Sequence, residues 1–333
     1  MFVLQSYSWA VVFCIITMFC WGSWANTQKL ARKGWRFELF YWDYAIGVLL
    51  LSLILGLTLG NSGSAGRPFL ADLSQASHAS IESALLGGAI FNAANILLVA
   101  AIDVAGMAVA FPVGIGLALV LGVILNYIAI PLGNPAMLFG GVLLVSLAII
   151  LDALAYRRIP GGSAGVSAKG LLLSLACGIL MGFFYRFVAA SMYPDFLHPR
   201  QGKLGPYAAV FIFSVGIVLS NLVLNTLVMK KPFVGQPVSY ADYFRGSLHA
   251  HATGILGGVI WGVGMSFNII ASGRAGFAIS YGLGQGATMV AAFWGVFIWR
   301  EFRSAPSGTS RLLIFMFACF LSGLALIILA RTS

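Results

Sequence analysis

The chain has 333 residues, of which 60% are hydrophobic and 8% are charged, and its net charge is +10. A soluble domain carries about 25% charged residues, so this composition excludes a water-soluble globular protein and marks a membrane protein with many spans. The positive charge does not indicate nucleic acid, because the basic residues stand in loops between apolar runs, where Lys and Arg set orientation.

A bilayer-spanning helix needs about 20 predominantly apolar residues. Ten segments qualify, at 7–28, 39–60, 83–103, 105–129, 135–156, 169–192, 206–229, 247–271, 274–299 and 311–330. The first has no basic residue ahead of it, unlike a secretory signal. The longest connections are Asn61–Glu82, Pro194–Gly205 and Lys230–Arg245. None is long enough for a soluble domain, and no GxxxxGK[ST] phosphate loop occurs, which argues against ATP-driven work. Cys14, Cys20, Cys177 and Cys319 all lie in apolar runs without metal-ligand spacing and read as small buried side chains.

The chain repeats internally. Gly87–Ile128 falls without a gap on Gly257–Ile298, with 11 of 42 positions identical, among them the pairs Gly106/Gly276 and Gly114/Gly284. Very short turns near Asp103 and near Gly273 and Arg274 join the third to the fourth and the eighth to the ninth segments. The first and sixth segments also align, placing Gly22 on Gly182 and Trp24 on Phe184. Five helices per repeat is an odd number, so the second copy enters the membrane from the opposite side, as in secondary transporters. The expected fold is an all-α integral membrane protein of ten transmembrane helices in two inverted five-helix repeats. Residues 1–158 form the first repeat, 159–169 a short cytoplasmic linker and 170–333 the second. The odd-numbered loops carry 13 Lys and Arg against 5 on the other side, which predicts both termini outside.

An ionisable group at membrane depth is a functional hypothesis by default. Asp43, in FYWDYAIG, is either a proton or substrate site or an interfacial carboxylate paired with Arg36 or Lys33. Arg186 either orients a polar substrate or pairs with an acid, or snorkels to the interface. His249 and His251 fit a proton relay less well than an interfacial placement, and their i, i+2 spacing puts them on different faces, against a shared metal. Asp103, Asp152 and Glu301 stand at helix ends and read as solvated or close to basic residues. Asn92 and Asn95 share a helix face, as do Tyr281, Gln285 and Thr288. Amides cannot face lipid unsatisfied, so these faces turn inward, either to bond between helices or to line a cavity. Trp21, Trp24, Phe111, Trp261 and Tyr281 either stack on a flat ring or sugar face or simply pack. Pro112 is expected to kink the fourth helix, whose glycines thin it as Gly282, Gly284 and Gly286 thin the ninth.

The stretches WGSWANTQKL, YWDY and FNAANILLVAAIDVAGMAVAFPVGIGLALVLGVILNY, with GLLLSLACGILMGFFY and AGFAISYGLGQG in the second half, resemble the ureide permeases. These are relatives of the glucose, ribose and rhamnose porters in the drug/metabolite transporter superfamily. The resemblance implies secondary active import, by alternating access and coupled to protons, of a small uncharged polar solute: a monosaccharide, or a ureide or nucleobase. Carried over by position, Trp21, Trp24, Asp43, Asn92 and Asn95 match the family's patterned stretches; read with the residues above, Asp43 is the expected coupling site, Trp21, Trp24, Asn92, Asn95, Phe111, Trp261, Tyr281 and Gln285 the expected substrate contacts, and Arg186 the candidate charge partner. No cofactor, metal or nucleic acid is expected. The expected partners are the solute, protons and membrane lipid, and the apolar tenth helix faces either lipid or a second copy in a homodimer. Plant ureide permeases have a long central loop with a nucleotide-binding-like motif. The central loop here is only about ten residues, which points to a bacterial-type member in the inner membrane. Two alternatives stay open: an exporter of the same fold, and a membrane enzyme acting on lipid or a lipid-linked sugar. The enzyme would need clustered acids or histidines, whereas the nine acids and four histidines are scattered.

Overall fold

The computed structural model describes residues 1–31, 34–159 and 167–332. Residues 160–166 of the expected linker, and Lys33 as a partner for Asp43, lie outside the described residues. The described chain is helical throughout apart from its connections and two isolated bridges. We label the main helices α1 (Tyr7–Ser23), α2 (Phe37–Leu57), α3 (His78–Ala105), α4 (Phe111–Ala129), α5 (Pro135–Tyr156), α6 (Ala168–Ser191), α7 (Pro206–Lys230), α8 (Leu248–Ala275), α9 (Phe277–Ile298) and α10 (Thr309–Leu329). Among the described residues nine helices are long and apolar enough to cross a bilayer, and α1, with 17 residues, is shorter. The expected first segment 7–28 therefore divides into α1 and a short helix, Asn26–Leu30.

Local chemistry explains the ends. Ser77 accepts a hydrogen bond from the amide of Ser80, and Ser247 accepts one from Ala250. Each supplies an acceptor to a helix start that otherwise leaves its first amides unpaired. The caps let α3 and α8 begin in a polar turn, so α3 starts at His78 rather than near 83. Both helices have 28 residues and both end at a glycine, Gly106 (φ 76°) and Gly276 (φ 85°). At that φ a side chain is strained, so the tight turns form there rather than at Asp103 or Gly273. α4 opens with a wide π-type turn, Phe111–Ile115, that accommodates Pro112. α9 is interrupted at Gln285 and Gly286, where Gly284 ends one helical piece and Ala287 begins the next.

Glycine sets the packing. A Cβ on Gly88 would lie 2.0 Å from the carbonyl of Phe213, and one on Gly258 would lie 2.0 Å from that of Tyr44. Likewise, a Cβ on Gly47 would meet the carbonyl of Ile255 at 2.4 Å, and one on Gly216 that of Leu85 at 2.2 Å. Gly141 and Gly323 bring α5 and α10 together in the same way. These approaches come in pairs: α3 lies on α7 as α8 lies on α2, and α3 meets α6 as α8 meets α1. Interfaces of small residues suit a bilayer, where close van der Waals contact drives helix association.

Candidate functional site

A cavity of about 740 Å³ lies between α1, α3, α4, α6, α8 and α9, within the range of small-molecule sites, about 300–1,000 Å³. Its deep wall is aromatic. Phe91 and Trp261 sit at matching positions of α3 and α8, with ring centroids 4.4 Å apart. Trp21 stacks on Trp261 at 5.8 Å, and Phe184 packs edge-on against Phe91 at 5.2 Å. Trp24 and Phe111 complete the apolar lining, and the polar groups in the wall are few: Asn95, Gln285, Thr288 and Gln28. The indole Nε1 of Trp21 is buried and has no partner among the described residues. Asn95 donates to the Tyr41 hydroxyl at 3.1 Å, which fixes its amide at the wall. Apolar faces with a few placed donors and acceptors suit a small ring that carries amide-like groups.

The cavity mouth is formed by Arg36, Glu38, Asp103 and the stretch Phe233–Gly235, all at the end of the bundle where the basic loops cluster. Arg36 pairs with Glu38 and donates to the carbonyls of Val234, at 3.0 Å, and Gln236. The other end is packed. Met1, Val3 and Leu4 are buried there. Tyr207 donates to the carbonyl of Phe2 at 3.1 Å, and Arg274 donates to that of Leu4 at 2.9 Å. Beside them Asp72 accepts from the amide of Gly205 at 2.6 Å and from Arg67 at 3.0 Å. Burial pushes the Asp72 carboxyl above its ordinary range, against the pull of those two donors.

Asp43 lies outside the cavity lining, buried between α2 and α8 near the same end as the mouth. Its carboxylate accepts from Tyr243 at 2.7 Å and from Nδ1 of His251 at 2.9 Å. Arg36 is engaged elsewhere, so Asp43 is not its ion-pair partner. The ring of His251 is enclosed by Tyr243 at 4.8 Å and Trp35 at 5.2 Å, both edge-on.

The same-face pairs divide. Asn95 lines the cavity, whereas Asn92 donates to the Ser220 hydroxyl of α7 at 2.9 Å. Gln285 and Thr288 line it, whereas Tyr281 is fully buried and donates to the carbonyls of Ala118 and Met181, at 3.1 Å each. Arg186 is half-buried on α6, away from the lining, and makes no ion pair among the described residues. Asp152, expected to be solvated, is buried, with Oδ1 unpartnered among the described residues. The side chain is one turn from Tyr156, which donates to Glu301 at 2.8 Å. Glu301 does meet a basic residue, Lys29, at 3.5 Å.

The family model for ureide permeases matches residues 40–159 and 164–330. The chain belongs to the ureide permease family. Two relatives from Arabidopsis thaliana, Ureide permease 1 and Ureide permease 4, are each 23% identical over 98% of this chain and 98% of their own length. Transmembrane protein 144 homolog B of Dictyostelium discoideum is 25% identical over 48% of the chain and 40% of its own. A solved crystal structure aligns over 98% of the chain and 99% of its own length, with a TM-score of 0.62 and 18% identity. At that identity the likeness is one of fold. The family match establishes a multi-pass membrane permease with a small-molecule substrate.

Three residues of this permease-family chain were missed in the sequence: two in the cavity wall and one beside Asp43. Phe91 and Phe184 stand in the cavity wall. Each aligns with a tryptophan of the repeat, Trp261 and Trp24, and that correspondence was the available signal. Tyr243 gave none, because it stands in a connection 200 residues from Asp43.

Proposed function

We propose that this chain imports a small planar polar solute, a ureide or nucleobase before a monosaccharide, by alternating access coupled to protons. The carrying observation is the aromatic cavity of about 740 Å³, with Asn95, Gln285, Thr288 and Gln28 as the polar groups of its wall. Flat faces and a few amides match a heterocycle better than a sugar, whose many hydroxyls call for more hydrogen-bonding side chains. Trp21, Trp24, Phe91, Phe111 and Trp261 take the ring, and Asn95 and Gln285 its edge. Asn92 and Tyr281 hold the helices that carry the site.

The architecture in this reading is two inverted repeats, residues 1–158 and 170–333, of the drug/metabolite transporter type, with α1 as the tenth span. The paired glycine approaches and the equal α3 and α8 support it. With the basic loops in the cytoplasm and both termini outside, the described conformation faces inward, its mouth at Arg36 and Phe233–Gly235. Asp43 is the anchor of the proton-coupling site. It is an acid at a helix–helix contact, with hydrogen-bond partners on two other elements.

The test is uptake into vesicles holding the purified protein. Labelled allantoin, uracil and glucose are offered with the outside acid, with the outside neutral, and with protonophore. Accumulation of allantoin or uracil that collapses with protonophore is expected. Uptake of glucose alone would overturn the solute assignment, and uptake indifferent to the proton gradient would overturn the coupling.

A further inference from the structure

The Asp43 cluster does more than hold a carboxylate, because one of its members lies on a connection. Tyr243 belongs to the short helix Tyr240–Phe244, inside the 231–247 segment between α7 and α8. That segment also supplies Phe233, Val234 and Gly235 to the cavity mouth. Two of its ties bear on the mouth and the acid: Arg36 holds the carbonyls of Val234 and Gln236, and Asp43 holds the Tyr243 hydroxyl, while Val238 and Tyr240 are bonded to Met229 and Thr226 of α7. The mouth wall and the buried acid are therefore linked through one short stretch of chain.

The hydrogen-bond chemistry decides what that link reports. A carboxylate has no proton to give, so Nδ1 of His251 is the donor in its bond to Asp43. The second ring nitrogen, Nε2, faces Gly246, where an added Cβ would lie only 2.5 Å away. Glycine at that point leaves Nε2 room to take a proton. Of the other titratable and charged groups nearby, Asp242 caps its own short helix at Ser239 and Arg245 closes that helix, both exposed. His249 on α8 turns to the carbonyl of Leu30, and Arg36 and Glu38 at the foot of α2 pair with each other. On α7, Asn225 is spent on the carbonyl of Glu38. Tyr243 is thus the third proton-bearing member of the cluster.

We propose that Asp43, His251 and Tyr243 form a proton-operated latch on the cavity mouth. The Asp43–His251 pair holds the coupled proton, and Tyr243 passes its state to the 231–247 segment. A proton added at Nε2 turns a neutral imidazole into an imidazolium without breaking any bond drawn above. The imidazolium adds direct charge attraction to a bond whose acceptor is already an anion, so the loaded pair fixes Asp43 and the segment is held more firmly. Loss of the proton slackens it. The α8 helix connects it to the solute: Trp261 is ten residues beyond His251, about 15 Å at 1.5 Å per residue. This inference rests on the proton-coupled reading above, and its test has an arm that needs no solute.

Hydrogen exchange of the purified protein in detergent, followed by mass spectrometry at pH 6 and pH 8, reads the segment directly. After correction for intrinsic rates, amides of 239–246 are expected to exchange at least threefold more slowly at pH 6. His251→Gln removes the titrating ring, and Tyr243→Phe removes one oxygen while keeping the aromatic packing; both abolish the difference. Equal corrected rates in the wild type, or a difference that survives in both variants, would overturn the latch. In vesicles, both variants are expected to lose proton-driven allantoin accumulation at least tenfold while retaining exchange at equilibrium; undiminished accumulation would overturn the coupling role. A wild type that moves none of the offered solutes would instead defeat the transport reading, and the exchange difference would then decide on the latch alone.

Discussion

Replacing Gly88 or Gly258 by alanine is the sharpest test of how the bundle is assembled. The new Cβ would sit 2.0 Å from a main-chain carbonyl oxygen of the facing helix, where ordinary van der Waals contact begins near 3.4 Å. A flexible side chain would swing away, but a helical carbonyl has no such freedom. The shortfall is made up only by parting α3 from α7, or α8 from α2, along their contact. Overpacking of this kind costs about 1–3 kcal/mol. The rigid obstacle puts these sites at the upper end, and the roughly 1 kcal/mol that alanine gains over glycine in a helix offsets part of it. A net loss of about 2 kcal/mol reads as roughly 4–8 °C of melting temperature, on the scale of larger domains.

Two other glycines serve as controls. A Cβ on Gly116 would have its nearest neighbour at 4.0 Å, and one on Gly140 would have it at 3.8 Å. Both positions are helical and both accept alanine, so Gly116→Ala and Gly140→Ala are expected to melt at or slightly above the wild type. The assay is fluorescence-detected size exclusion of each variant after heating in detergent. The reasoning is refuted if Gly88→Ala and Gly258→Ala melt with the controls. It is refuted in part if only one of them falls, because the two approaches have the same geometry and should respond alike.

The polar residues give three more tests. Asn95→Ala should weaken solute binding in a thermal-shift titration at least tenfold, besides a stability cost of about 1 kcal/mol for the lost bond to Tyr41. Asn92→Ala, which strips a partner from Ser220, should cost similar stability and leave solute affinity intact. Tyr281→Phe removes a hydroxyl bonded to two carbonyls and should cost about 1 kcal/mol of stability, read as a lower melting temperature with solute affinity intact. Asp72 makes a pH prediction. Burial lifts its carboxyl in the folded protein above the unfolded value near 3.8, so the folded state binds that proton more tightly. Its contribution to stability is greatest below pH 3.8 and declines as pH rises through the folded value. Arg67→Ala removes a charge that opposes the lift and should steepen the decline in melting temperature between acid and neutral pH. A flatter profile than the wild type's would contradict the assignment.

The helices were legible because lipid leaves the backbone few choices. An apolar run of about 20 residues must satisfy its own amides, and eight of the ten expected segments begin within three residues of the start of one of the helices α1–α10. Where the reading slipped, a side chain outside the apolar run decided the matter. Ser77 starts α3 in a polar turn that hydropathy cannot see, and the division after Ser23 lies within a stretch of unbroken apolar and small residues.

The site was legible by residue type but not by direction. Asn92 and Asn95 lie on one helix face, yet residues three apart still differ by about 60° in direction. That angle is enough to send one amide to Ser220 and leave the other in the cavity wall. The same holds for Tyr281 against Gln285. Facing inward is therefore a weaker statement than facing the solute, because a membrane bundle has two interiors: helix contacts that must be closed and a cavity that must stay open. Asp43 belongs to a third place. Its partners stand 200 and 208 residues away, so no local spacing reports them. They come into reach because Gly254, over which an added Cβ would lie 2.5 Å from the Cβ of Asp43, lets α8 lie directly on α2. Gly254 is thus what brings a histidine to the acid, and a bulkier residue there would separate the pair.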